Sequence, residues 1–206
     1  MHITSPNHTT MSDAEQPGAE QERRSTDRVQ TVLLVARVIA EHDQGLARLR
    51  NVSDRGMGLQ LQIPVLLGDA ITVDLGEGMT VNGRVMWTCG QECGLRLDEE
   101  IDSAALLGEL AARSRRGRAR AVRLPVEISA MTSGDNGMRR VEVKDVSQRG
   151  MKLKHDGSLT EGLQLKIILS SGKERRGVVR WSRDNVAGLM LLEPFSTEDL
   201  GSISNL

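Results

Sequence analysis

Tyrosine is missing from this chain, phenylalanine occurs once and tryptophan twice. No aromatics are interleaved among its basic residues for base stacking, which argues against nucleic-acid binding. Cysteine is equally scarce: Cys89 and Cys93 stand close together with no histidine nearby to complete a metal set, so ordinary reduced thiols are expected. None of the four histidines, His2, His8, His42 and His155, belongs to a constellation. A glycine-rich phosphate loop leading to lysine is absent, as is a nucleophile with a paired base, so the expected class is non-enzymatic, with no cofactor and no metal. Apolar runs are short and broken by charges, far below the ~20 residues of a membrane-spanning helix, and the N-terminus lacks a signal-peptide core. A cytoplasmic protein without membrane insertion is expected. The 27 basic residues nearly cancel the 28 acidic ones, so no global field draws the chain to nucleic acid or to an anionic membrane.

What the chain does have is a repeat. The tract Asn51-Val52-Ser53-Asp54-Arg55-Gly56-Met57 returns as Asp145-Val146-Ser147-Gln148-Arg149-Gly150-Met151. At the same spacing Gly68 matches Gly162, Gly83 matches Gly177, Trp87 matches Trp181, and Gly94-Leu95 matches Gly188-Leu189. A fixed internal period of this length means two copies of one folding unit. Each unit has roughly 90 residues, near the lower range for a self-sufficient core. The expected organisation is a polar tail over 1–22, then units over 23–112 and 113–206. The tail has no hydrophobic period and cannot offset the entropy of ordering.

In the first unit short β-type runs cover 32–40, 46–52, 57–63, 70–75, 81–88 and 94–97, separated by turn residues such as Asp54-Arg55-Gly56. The second unit repeats the order, and there Leu163, Leu165, Ile167 and Leu169 alternate as a half-buried strand requires. Six short antiparallel strands punctuated by glycine suit a small closed barrel, which leaves no exposed edge. Between the units Ile101, Ala104, Ala105, Leu107, Leu110 and Ala111 recur at helical spacing, with acids before them and arginines after, as the helix dipole favours. The predicted fold is mainly β: two tandem six-stranded antiparallel barrels joined by a helical linker that packs on the first, behind a disordered N-terminal tail. Trp87 and Trp181 are expected to pack in the barrel walls.

Arginines cluster immediately before each unit's first strand. Arg24 and Arg28 stand four apart ahead of the first, Arg116 and Arg120 ahead of the second. An Arg-x-x-x-Arg pair followed by Asn/Asp-x-Ser-x-x-Gly, in this order and twice over, resembles the PilZ domain, and Trp87 with Gly94-Leu95 and Trp181 with Gly188-Leu189 resemble that family's closing strands. The resemblance spans nearly all of residues 23–195.

That resemblance implies a non-catalytic receptor for the messenger cyclic di-GMP, bound in each unit by the arginines and the turn. The site residues so implied are Arg24, Arg28, Asn51, Ser53 and Gly56 in the first copy, and Arg116, Arg120, Asp145, Ser147 and Gly150 in the second. The chemistry is apt. A guanidinium is a planar, permanently charged fork that fits a phosphate oxygen pair or the O6/N7 edge of guanine. A turn carboxylate, carboxamide or hydroxyl can pair with the guanine Watson–Crick edge, or can simply fasten the turn. Gly56 and Gly150 are expected to supply a positive φ and a close backbone approach. Arg55 and Arg149 read as exposed charge. The expected output is a change in the arrangement of the units, felt by a downstream protein partner of unknown identity. Two other readings stay open: a PilZ-like interaction scaffold without ligand, and nucleic-acid binding through 113–123, which holds six arginines and no acid.

Overall fold

The computed structural model describes residues 30–115, 120–134 and 137–206, with the backbone alone at 31–33; the tail over 1–22 lies outside the described residues. Alternating apolar positions in the first half build β1 (Gln30–Ile39), β2 (Gln44–Ser53), β3 (Gly56–Gln60), β4 (Ala70–Asp74), β5 (Thr80–Cys89) and β6 (Glu92–Leu97). They close, all antiparallel, in the order β1-β2-β3-β6-β5-β4. The second half repeats this with β7 (Leu124–Gly134), β8 (Gly137–Ser147), β9 (Gly150–Lys154), β10 (Gln164–Leu169), β11 (Glu174–Arg183) and β12 (Val186–Leu191). The mainly β, two-barrel architecture expected from the repeat is the one the chain adopts.

Each barrel is filled mainly from its own strands: Val38, Leu49, Val52, Leu59, Ile71 and Val85 in the first, Leu124, Val143, Met151, Leu153, Ile167 and Val179 in the second. Three register shifts recur at matching places, between Leu49 and Asn51, between Val85 and Trp87, and near the start of β1, and again between Val143 and Asp145, between Val179 and Trp181, and near the start of β7. An extra residue re-aims the side chain beside it. Asn51, Asp145 and both tryptophans thus turn outward where simple alternation would bury them.

The joining helix, α1, spans Ser103–Arg115. The turn tip of the first barrel starts it. Asp54 accepts from the Ser103 hydroxyl at 2.6 Å and from its backbone N–H at 3.0 Å, which holds the Asp54 carboxyl below its ordinary pKa. Asp102 then accepts from the Ala105 N–H at 2.8 Å, in the manner of an N-cap. The buried stripe differs in detail from the expected one: Ile101, Leu106, Leu107 and Leu110 pack on the first core, while Ala104, Ala105 and Ala111 face solvent. A methyl group covers too little apolar area to compete with leucine for the contact.

The chain after β12 ties the barrels together. Leu46 of β2 belongs to the second barrel's core along with Phe195, Leu200 and Leu206, and its N–H donates to the Leu200 carbonyl at 2.7 Å. Ser202 donates to Asp43 at 2.5 Å, and Arg48 meets Glu198 at 3.0 Å. Gly45 lies so close to the Gly201 carbonyl that a Cβ at Gly45 would overlap it. The linker is therefore not the sole connection between the barrels.

His155 is buried, with Nδ1 accepting from the N–H groups of Gly157 at 3.0 Å and Leu159 at 3.3 Å. Two N–H donors on Nδ1 require the proton on Nε2, which then donates to Ser182 Oγ at 3.1 Å. This Ser–His pair has the wrong tautomer for activating a nucleophile. Burial lowers the His155 pKa, opposed by the Asp156 carboxylate. The unfolded chain therefore takes the proton first as pH falls. Stability is expected to be full above the ordinary imidazole pKa, to decline as pH falls through the window down to the lowered value, and to level off below it as far as this group is concerned. Urea titrations across that window, with His155→Gln as the comparison, check the slope; equal slopes in both chains would remove the assignment.

Candidate functional site

On the outside of the second barrel a cavity of about 560 Å³ opens over β8, β9, β11 and β12. That size suits a small organic ligand. Of the residues picked out in the sequence, Arg120, Asp145, Ser147 and Gly150 border it. Arg116 lies outside the described residues, as do Arg24 and Arg28.

The site is built on one transverse row of paired residues: Asp145 opposite Lys152, Lys152 opposite Gly188, Gly188 opposite Trp181. Directly opposed residues on adjacent strands point to the same face. Trp181 is 39% exposed and lies against Gly188, where a Cβ would overlap its indole nitrogen; Trp87 is 48% exposed and covers Gly94 in the same way. The expectation of wall packing is thus corrected. Each ring presses one face on a glycine outside the barrel and offers the rest of its surface, because the bulge before it turns the side chain outward.

Asp145 is engaged by Arg123, at 2.5 Å between Oδ1 and Nη1. Arg123 was missed in the sequence because it falls outside the Arg-x-x-x-Arg spacing. It was nevertheless findable, since it directly precedes β7, whose residue Pro125 pairs with Asp145. Lys152, Arg180 and Arg149 complete the rim. Among the described residues Asp145 is the only carboxylate lining the cavity, against five cationic side chains. Such an arrangement attracts an anion and presents one acidic acceptor within it.

The turn itself behaves differently from expectation at its glycines. Gly56 and Gly150 do not have positive φ; the left-handed glycines are others, such as Gly68 and Gly162. Both are required by space. A Cβ on Gly56 would meet the Leu95 carbonyl oxygen at 2.9 Å, and one on Gly150 the Leu189 carbonyl oxygen at 2.8 Å. The close approach is to the neighbouring strand. Ser147 is buried and donates to the Gly150 carbonyl at 3.1 Å, and Ser53 donates to that of Gly56 at 3.4 Å. In both barrels the hydroxyl fastens the turn.

In the first barrel Asn51 and Ser53 come together on the matching turn, with Arg55 at its tip drawn to Glu100 at 3.3 Å. Cys93 is buried there, which pushes its thiol up to about 11, while Cys89 is exposed. Among the described residues no three metal-ligating side chains converge, and no helix is long and apolar enough to cross a membrane.

A family model described as the PilZ domain matches the chain twice, over residues 22–113 and 115–206. No curated protein matches it. Among solved structures, PlzA of Borreliella burgdorferi, crystallised with c-di-GMP, is 10% identical over 84% of this chain and 89% of its own, with a TM-score of 0.37. The Bacillus subtilis motility inhibitor MotI/DgrA is 14% identical over 83% and 90%, with a TM-score of 0.32. YcgR of Escherichia coli, also solved with c-di-GMP, is 13% identical over 80% and 76%, with a TM-score of 0.29.

Proposed function

This chain belongs to the PilZ domain family in both of its halves, and from that premise we propose that it is a non-catalytic receptor for cyclic di-GMP that passes the signal to a protein partner. The observation that carries the reading is the second barrel's cavity, where Arg120, Arg123, Lys152 and Arg180 line the same opening as Asp145, its one carboxylate among the described residues, beside an exposed indole. A cyclic dinucleotide has two phosphates for the cations, guanine edges for Asp145, and flat base surfaces for Trp181. Arg116 takes part with Arg120. In the first barrel Arg24 and Arg28 act with Asn51 and Ser53, so each barrel has a ligand site.

Capture of Arg116 and Arg120 restrains the stretch that follows α1. In this reading the restraint works against the contacts that residues 195–206 make with the first barrel, and the two barrels change their arrangement. Ligand then acts by favouring one of two arrangements. Scattering curves that superimpose with and without saturating ligand would remove the switch and leave binding untouched.

A charge-assisted contact contributes about 1.5–3 kcal/mol. Arg120→Ala is therefore expected to weaken its site roughly ten- to a hundredfold, at about 1.4 kcal/mol per decade. Titration calorimetry of the parent chain and of this variant tests the reading, which fails if affinity and stoichiometry are unchanged. One observation favours a docking role for the first barrel in addition. Leu66, at 74% exposure, and Leu67 form a turn docked on Val85 through Gly68, beside the exposed Met86 and Trp87, whereas the second barrel has Thr160 and Glu161 in place of the two leucines. A patch of this kind suits the partner protein.

A further inference from the structure

The signature turns of the two barrels are alike, but the strands beside them are not. Where the second barrel's row reads Asp145, Lys152, Gly188, Trp181, the first barrel's reads Asn51, Gly58, Gly94, Trp87. Lys152 stands between the acid and the indole. At its counterpart Gly58, the Asn51 carboxamide lies down over the backbone, so that a Cβ would meet its Oδ1 and Nδ2 at 2.7 Å. The residue at the bulge before each tryptophan differs in the same sense, Arg180 in the second barrel and Met86 in the first.

Lys152 and Arg180 are both exposed and border the cavity that Arg120 borders. Neither forms an ion pair among the described residues. A cation held in place by no acid costs little to redirect toward a ligand. Their position also matters. Arg123 meets Asp145 on β8 at one end of the row, Lys152 stands one strand along on β9, and Arg180 directly precedes Trp181 on β11 at the other end. At ~4.8 Å per strand the three steps from β8 to β11 separate the two ends of the row by on the order of 10 Å or more, with Lys152 between them. A ligand with one anionic group would engage one end of the row. A ligand with two, on opposite sides of a ring, engages both.

Resting on the ligand assignment above, we infer that Lys152 and Arg180 are ligand contacts outside the family signature, which hold the second phosphate of the cyclic dinucleotide and make the second barrel the tighter and more salt-sensitive of the two sites. Its indole supplies the test, because the chain has two tryptophans, one in each barrel. In a Trp87→Phe chain the remaining Trp181 reports the second barrel alone. Titration of that chain with cyclic di-GMP, followed by Trp181 emission at low and high salt, is compared with the same chain carrying Lys152→Gly or Arg180→Met, each the first barrel's own residue. Both replaced side chains are exposed, so unchanged thermal unfolding is the control for folding. Each variant is expected to bind roughly tenfold more weakly and to lose part of the salt dependence, since screening acts on the charges removed. Equal affinity and equal salt dependence in parent and variants would overturn the inference and leave the receptor reading standing. Absence of cyclic di-GMP binding to the parent, by emission and by calorimetry, would overturn both.

Discussion

Asp145→Ala is expected to weaken cyclic di-GMP binding at the second barrel by about a hundredfold. Two effects oppose each other here, and their sizes decide the sign. Removing a carboxylate from a site that binds a dianion relieves repulsion, but at ~7 Å through a solvent-like medium that is worth only about 0.6 kcal/mol per phosphate. Releasing Arg123 from its half-exposed ion pair adds about another 0–1 kcal/mol. Against this stands the loss of the one acidic acceptor among the described residues of the cavity, which can take both the N1–H and the 2-amino group of guanine in charge-assisted bonds of about 1.5–3 kcal/mol each. The hydrogen bonds outweigh the repulsion. Asp145→Asn keeps one acceptor, as Asn51 does in the first barrel, and is expected to fall between the two. Calorimetry on the three chains checks the order; tighter binding by the alanine variant would show that Asp145 serves only to hold Arg123.

Gly45→Ala is the second large effect, and it concerns the fold. A Cβ at this position overlaps the Gly201 carbonyl and approaches the Ser202 nitrogen to 2.8 Å, and both of those atoms are backbone. No rotamer change relieves such a clash, so the segment carrying Leu200, Ser202 and Leu206 must lift away from the first barrel. Overpacking of this kind costs about 1–3 kcal/mol, which for a protein of this size lowers the thermal midpoint by several degrees, at roughly 2–4 °C per kcal/mol. The Leu46–Leu200 and Asp43–Ser202 bonds go with it. Thermal unfolding together with small-angle scattering checks this: a lowered midpoint and a larger radius of gyration are expected. Gly108→Ala is the control, because an added Cβ in α1 meets nothing there and gains helix propensity. A compact Gly45→Ala chain with the parent's stability would show that residues 195–206 do not clasp the barrels.

Most of the barrel fold was legible in the sequence, because inward and outward residues alternate on nearly every strand and the repeat doubles each signal. Leu165, Ile167 and Leu169 are buried as their alternation requires. What periodicity cannot show is an interruption of itself. The register shifts before Asn51, Trp87, Asp145 and Trp181 put consecutive residues on the outer surface, so both tryptophans looked like wall residues. Motif spacing had a similar blind side. It pointed to Arg120 and Asp145, which border one cavity, but Arg123, Lys152 and Arg180 join them only through pairing across strands that are distant in sequence. Gly150 was legible as a required glycine for a reason that proved different, since the obstacle to a side chain is the Leu189 carbonyl of β12. The clasp at residues 195–206 left no trace in composition, because its bonds are largely made by backbone and by single polar residues.

Amide chemical-shift mapping of the isotope-labelled chain during titration with cyclic di-GMP tests the central claim most directly. The account predicts that the largest shifts fall on Asp145, Ser147, Gly150, Lys152 and Gly188 and on the Trp181 indole N–H, with a second set on Asn51, Ser53 and Trp87. Shifts confined to other faces of the barrels, or none at saturating ligand, would contradict it.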